Sequence, residues 1–271
     1  MNLEVKDLHF AYKNNPVLKG VDFSIGSGRC VCVLGENGAG KTTLFRCLLG
    51  LLSGYSGGIY FDGVDSKKLT PREIAKKVAY IPQAHAPAFN YTVYETVLMG
   101  TNVLMGGFRT PGREERSAAM ETIEFMNISR LSGRGFAELS GGERQLTLIA
   151  RALAQKSRVL VMDEPTADLD YGNQFRVLRR IRQLVKDDYL VVLSTHNPEH
   201  AMLFADMVLV LKDGKALMFG KPEEVLNPAT IESIYGVSVE IRKLSTSTGD
   251  VSVFLPILTE RSDRKRSVDK K

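Results

Sequence analysis

The sequence predicts an α/β protein built on a mostly parallel core sheet, and three observations carry that prediction. Short apolar runs at Val31–Leu34, Val159–Met162, Leu190–Leu193 and Met207–Leu211 read as strands buried on both faces. Helical patterns lie between several of them, the arrangement that covers a parallel sheet on both sides. The first run leads directly into a glycine-rich stretch and then a helix.

Taken in order, the chain begins with the alternating segments Leu3–Tyr12, Val21–Ile25 and Ile59–Gly63, separated by turn residues. They predict a small antiparallel β subdomain with one wet face. Arg29–Leu34 reads as the first buried strand, Thr42–Leu49 as the helix after it, and Val78–Pro82 as a further strand. From about Ala84 to Gln155 strand signals disappear, and Arg113–Asn127 has the composition of a helix, so this stretch reads as an inserted α-helical subdomain. After about Gly236, Val237–Lys243 and Val251–Leu255 are expected to pair as a hairpin across Ser245–Asp250, with no room left for a large regulatory domain. The expected organisation is one domain over 1–240 and a short extension over 241–271, a hairpin followed by a basic tail.

The 271 residues and 44% hydrophobic content suit a soluble globular protein with ample material for a core. Met1–Asp7 carries charges where a secretory signal needs an apolar block, and no run approaches the ~20 apolar residues of a membrane span. The expectation is a cytoplasmic chain that does not cross the membrane. Three cysteines, Cys30 and Cys32 on one strand face and Cys47 on the next helix, suit small buried hydrophobes better than disulfides or zinc ligands. Most of the formal charge of +5 comes from residues 261–271, with six Lys or Arg against two Asp, so the body is nearly neutral and no nucleic-acid partner is expected.

The glycine-rich stretch Gly35-Glu36-Asn37-Gly38-Ala39-Gly40-Lys41-Thr42 fits the phosphate-binding pattern G-x-x-x-x-G-K-[ST] at every position. Its glycines let several backbone N–H groups turn toward one anion, and the helix that follows adds the positive end of its dipole. Lys41 is predicted to reach the β- and γ-phosphates of a nucleoside triphosphate, Thr42 to ligate Mg²⁺ and Thr43 to make a further phosphate contact.

Leu139–Gln145 opens a second helix, with a buried stripe of Leu146, Ile149, Ala150 and Leu153. Ser140 is its N-cap and Glu143 completes a capping box. Gly141 and Gly142 weaken a first turn, which makes sense where backbone lies flush against a ligand, so this start is a second candidate anion site. The run Val159–Met162 then ends in Asp163-Glu164-Pro165, two carboxylates at a strand end, where open α/β sheets bind their ligands. Asp163 is the candidate Mg²⁺ holder, and Glu164 the candidate general base.

Together the phosphate loop, Leu139–Gln145 and Asp163-Glu164-Pro165 resemble the nucleotide-binding subunit of an ATP-binding cassette (ABC) transporter, over residues 1 to about 240. The resemblance implies a P-loop ABC ATPase fold and a homodimer holding two ATP molecules head to tail. Ser140, Gly141 and Gly142 of one subunit then complete the site on Lys41 of the other. It further implies that Tyr12 stacks on adenine, that Gln83 joins the Mg²⁺ and water cluster, that His196 bonds the γ-phosphate and orients Glu164, and that Asp170 sits in a loop crossing the dimer interface. The sequence departs from the family's commoner residues at Glu143, Ala167 and Thr101.

Phe89–Gly100, Gln145-Leu146 and Leu169-Asp170 are similar to segments of importers of iron-siderophores, haem, cobalamin and some metal oxyanions. That likeness implies a peripheral subunit on the cytoplasmic face of the membrane. It would work with polytopic permease subunits and, indirectly, with an extracytoplasmic substrate-binding protein. An importer of molybdate or tungstate type, and a soluble ABC ATPase of an assembly such as iron–sulfur cluster building, remain as alternatives. The transported solute is not legible, because it touches the permease and binding protein rather than this chain.

Overall fold

A computed structural model describes residues 1–83, 90–105, 109–246 and 249–257 of the chain. The expected basic tail at 261–271, and Ala84 and Phe89 of the expected insertion, lie outside the described residues. The chain opens with β1 (Asn2–Tyr12), β2 (Asn15–Gly26) and β3 (Cys30–Leu34), then α1 (Lys41–Leu48), β4 (Ser56–Phe61), β5 (Val64–Asp65), α2 (Pro71–Lys77) and β6 (Val78–Ile81). Three helices follow, α3 (Val93–Met99), α4 (Arg113–Phe125) and α5 (Gly141–Ala154). The described part of 90–155 holds no strand, only an isolated bridge between Thr92 and Gly135. The chain then alternates through β7 (Val159–Met162), α6 (Tyr171–Lys186), β8 (Leu190–Thr195), α7 (Pro198–Phe204) and β9 (Met207–Lys212). It continues as β10 (Lys215–Gly220), α8 (Pro222–Val225), α9 (Pro228–Tyr235), β11 (Val239–Thr246) and β12 (Gly249–Pro256).

The six-stranded core sheet has the order β10-β9-β3-β8-β7-β6, parallel throughout except for β10 on the edge. Each predicted apolar run is one of its strands, and the alternation of side chains along them feeds two cores. Cys30, Cys32, Leu160, Met162, Val191 and Val208 face α5, α6 and α7, while Val31, Val33, Val161, Val192 and Leu209 face α1 and the antiparallel sheet. All three cysteines are buried free thiols, and burial pushes Cys30 and Cys47 up to about 12, so they behave as the expected small hydrophobes. The antiparallel sheet has the order β2-β1-β4-β5, with Leu3, Val5, Leu8, Val21, Phe23 and Ile59 buried beneath it.

Several boundaries differ from the sequence reading. β2 begins earlier, at Asn15, because Lys13 takes φ +54° and closes a two-residue turn onto Tyr12. α4 stops at Phe125 because Asn127 enters the left-handed region at φ +57°. Ser245 and Asp250, expected in the hairpin turn, instead face each other in the ladder and hydrogen-bond at 2.7 Å. Among the described residues no helix is long and apolar enough to cross a membrane.

Candidate active site

The loop between β3 and α1 is shaped by backbone demands that only glycine meets. A Cβ on Gly35 would lie 2.2 Å from the Leu211 carbonyl oxygen, and Gly40 has φ +107°. Gly40 precedes α1 without a side-chain cap, and the first turn of α1 carries no acid, so its N–H groups are left for an external acceptor. The Lys41 side chain is only 6% exposed, and its Nζ donates to the carbonyl oxygens of Gly35 (2.7 Å) and Glu36 (3.1 Å). Nζ also lies 3.7 Å from Glu164 Oε1.

The parallel register brings the end of β7 beside those of β6 and β8, and a tight network fixes the two carboxylates there. Asp163 Oδ1 accepts from Ser194 Oγ at 2.7 Å, while Asp163 Oδ2 accepts from Thr42 Oγ1 at 3.1 Å and Tyr80 OH at 3.5 Å. Burial, and then the Asp163 charge, push the Tyr80 phenol up to about 12, so it stays a donor. Ser194 Oγ also accepts the Glu164 N–H at 2.9 Å. Glu164 itself has φ +43°, a conformation costing a non-glycine residue ~1–2 kcal/mol, which the turn to Ala167 and the Ser194 contact hold in place. Its Oε2 lies 3.0 Å from His196 Nδ1 at the end of β8.

A cavity of about 460 Å³ is lined by Glu36, Asn37, Gly38, Gly40, Lys41, Thr42, Thr43, Gln83, Asp163 and Glu164, whereas His196 lines a neighbouring cavity that shares Gln83 and Glu164 with it. Gln83 reaches it while its Nε2 donates to Asp168 Oδ2 at 2.8 Å. The donor set fits a triphosphate: a glycine loop, an open helix start and a buried ammonium. It also fits Mg²⁺ accompanied by phosphate oxygens and water. Thr42 and Asp163 offer hard oxygens, and among the described residues no three His, Cys, Asp or Glu gather to hold a metal alone. A larger groove of about 810 Å³ runs along α6 and contains none of the predicted site residues.

The remaining predicted residues lie elsewhere. Tyr12 is 40% exposed, packs edge-on against Phe10 and has its hydroxyl 3.5 Å from Arg46, but does not line the cavity. Nor do Ser140, Gly141, Gly142, Glu143 and Asp170. The capping box forms as expected: the Glu143 N–H donates to Ser140 Oγ (3.3 Å), and the Glu143 carboxylate accepts the Ser140 N–H (3.1 Å). That N–H holds the Glu143 carboxyl below the usual range. The demand for glycine at 142 has a source inside the chain, since a Cβ there would meet Asn173 Oδ1 at 2.6 Å. Asp170 caps α6, accepting the Asn173 N–H (2.9 Å) and Nδ2 (2.7 Å).

Sequence reasoning missed Ser194, Tyr80 and Asp168. A serine closing the apolar run Leu190–Leu193 beside the Asp163-Glu164 strand was the available signal for the first.

Residues 18–167 match the family model described as ABC transporter. The chain belongs to this family. As an ABC transporter ATPase it binds and hydrolyses ATP, and its likeness to known members spans most of its length. It is 33% identical over 268 residues to the hemin import ATP-binding protein HmuV of Jannaschia sp. (strain CCS1), covering 96% of each chain. It is 34% identical over 242 residues to the probable iron chelatin transport ATP-binding protein of Helicobacter pylori (strain ATCC 700392 / 26695), covering 89% of this chain and 95% of that one. A solved ABC transporter described as a putative metal-chelate type, in an inward-facing conformation, superposes with a TM-score of 0.83 at 29% identity, over 94% of this chain and 96% of that one.

Proposed function

We propose that this ATPase is the motor of a membrane importer of metal chelates, of the iron-siderophore, haem or cobalamin kind. The observation that carries the catalytic part is the meeting of Lys41, Thr42, Asp163, Glu164 and His196 at the ends of three parallel strands. Relatives named for hemin import and iron chelatin transport support the cargo class. Residues 1–240 would form the ATPase unit, with 84–155 as its helical part.

Within that reading, Lys41 and the N–H groups of the phosphate loop and of α1 hold the β- and γ-phosphates, with Thr43 beside them. Thr42, Asp163 and Gln83 hold Mg²⁺, which supplies charge neutralisation on the phosphates when bound. Glu164 accepts a proton from the attacking water, and His196 keeps that carboxylate aimed through the 3.0 Å contact at Nδ1. Tyr12 offers its face to the adenine ring, a contact worth ~1–3 kcal/mol for a base on an aromatic side chain. Ser140, Gly141, Gly142 and Glu143 of a second copy close the site, and Asp170 faces the joint between copies. Closure of this homodimer on the cytoplasmic face of the membrane would pull on two permease subunits, and hydrolysis would reset them.

The test is reconstitution with the permease that copurifies and its binding protein, followed by ATP turnover with ferric siderophore, haem, cobalamin and molybdate. Stimulation by one chelate supports the reading. Copurification with soluble partners alone contradicts it.

A further inference from the structure

Behind the Glu164–His196 pair lies a second histidine that the proposed chemistry does not use. His200 lies on α7, four residues beyond His196, and is only 7% exposed. Asn197 caps this helix, its Oδ1 accepting the N–H groups of Glu199 (2.9 Å) and His200 (3.3 Å). The N–H of Asn197 donates in turn to Thr195 Oγ1 at 3.0 Å, so the start of α7 is tied to the end of β8.

From this anchored helix, His200 Nδ1 lies 3.5 Å from Thr166 Oγ1. Thr166 is 6% exposed and sits inside the turn that begins at Glu164, which the Ala167 N–H closes onto the Glu164 carbonyl at 3.0 Å. The His200 ring also stands edge-on to Phe175 of α6, with centroids 6.1 Å apart. The His200 ring therefore meets the turn after β7 and the first turns of α6, while its backbone N–H is held by the cap of α7. It faces a polar cavity of about 250 Å³ whose walls include Gln83, Glu164, Asp168 and His196, and Gln83 and Glu164 also line the phosphate-loop cavity.

We propose that His200 is a positioning residue for hydrolysis, locking the turn that carries Glu164 against the β8–α7 junction that carries His196. The left-handed backbone of Glu164 persists only where its surroundings hold it. The Ser194 contact holds the near end of that turn, and Thr166 against His200 holds the far end. His200 acts through Thr166 and through α7, without touching the reacting atoms. This inference rests on the roles proposed above for Glu164 and His196.

Steady-state ATP turnover of four variants tests it: His200→Leu, His200→Asn, Thr166→Val and the double His200→Leu/Thr166→Val. His200→Leu fills the space without the polar contact and is expected to lower kcat about fivefold, with KM for ATP within about twofold. His200→Asn, whose amide falls near the Nδ1 position, is expected to recover most of that loss. Thr166→Val should match His200→Leu, and the double variant should be no slower than the slower single one. Thr166→Val, nearly isosteric, carries the test should His200→Leu fail to fold. Unchanged kcat in Thr166→Val, additive losses, or no recovery in His200→Asn would overturn the inference. Glu164→Gln run alongside separates the two levels. If it is inactive while Thr166→Val is normal, only the positioning role fails; if it turns over normally, both readings fall.

Discussion

Two helix starts in this molecule carry a conspicuous glycine pattern, one just before the helix and one in its first turn, and they are built in opposite ways. α1 follows Gly40 with no side-chain cap and no acid in its first turn, and its Lys41 and Thr42 face the cavity. α5 follows Ser140, exchanges hydrogen bonds with its own Glu143 and draws Arg130 to 3.1 Å and Arg134 to 3.9 Å of that carboxylate. The first start leaves its N–H groups and dipole for an external anion. The second has satisfied itself, so within one chain its positive end is already neutralised. The contrast teaches that glycine at a helix start does not by itself make a complete anion site.

The sharpest way to break this comparison is to stop the chemistry at the α1 end. Glu164→Gln removes the proposed base while keeping shape and hydrogen-bonding capacity, and kcat should fall by about 10²–10⁴ with ATP binding retained. Turnover near the unaltered rate would strip Glu164 of its role. A smaller effect is expected at the α5 end, where Gly142→Ala drives a methyl into Asn173, itself held by Asp170. The chain should lose ~1–3 kcal/mol of unfolding free energy, and Asn173→Ala in the same chain should restore part of it. Denaturant melts of the two variants check this, and a Gly142→Ala chain as stable as the unaltered one would place the demand for glycine outside the chain.

The gentlest test is titration of the α5 start. Glu143 has a lower pKa folded than unfolded, chiefly through the Ser140 N–H, so it contributes stability at neutral pH that fades as pH falls below the ordinary glutamate range. Glu143→Gln keeps the capping geometry without the charge. Its unfolding free energy should trail that of the unaltered chain by less than ~1 kcal/mol at pH 7, with the gap closing on acidification. A gap independent of pH would assign the effect to shape alone.

The parts legible in the sequence are those whose chemistry is contiguous. Gly35–Thr43 announces its function because a phosphate is wrapped by consecutive backbone groups, and Ser140–Glu143 announces a cap because the box closes over three residues. The strands were legible because parallel strands buried on both faces must be apolar throughout. What escaped is assembled across strands: Ser194 and Tyr80 reach Asp163 from β8 and β6, and His200 meets Thr166 across 34 positions. Spacing carries no trace of such pairs until the sheet order is known. The Gly142 requirement escaped for the same reason, since Asn173 arrives on another helix. The register of the last hairpin was missed because Ser245 and Asp250 suit a turn as well as a cross-strand pair.

The most direct measurement of the central claim, that each catalytic site is shared between two copies, is ATP turnover by mixed assemblies. One copy carries Lys41→Ala and the other Ser140→Arg, each inactive alone. In the mixed dimer one site pairs an intact Lys41 with an intact Ser140 of the second copy, so activity should return, up to about half of the unaltered dimer's. No activity at any mixing ratio, with dimers confirmed by light scattering, would contradict it.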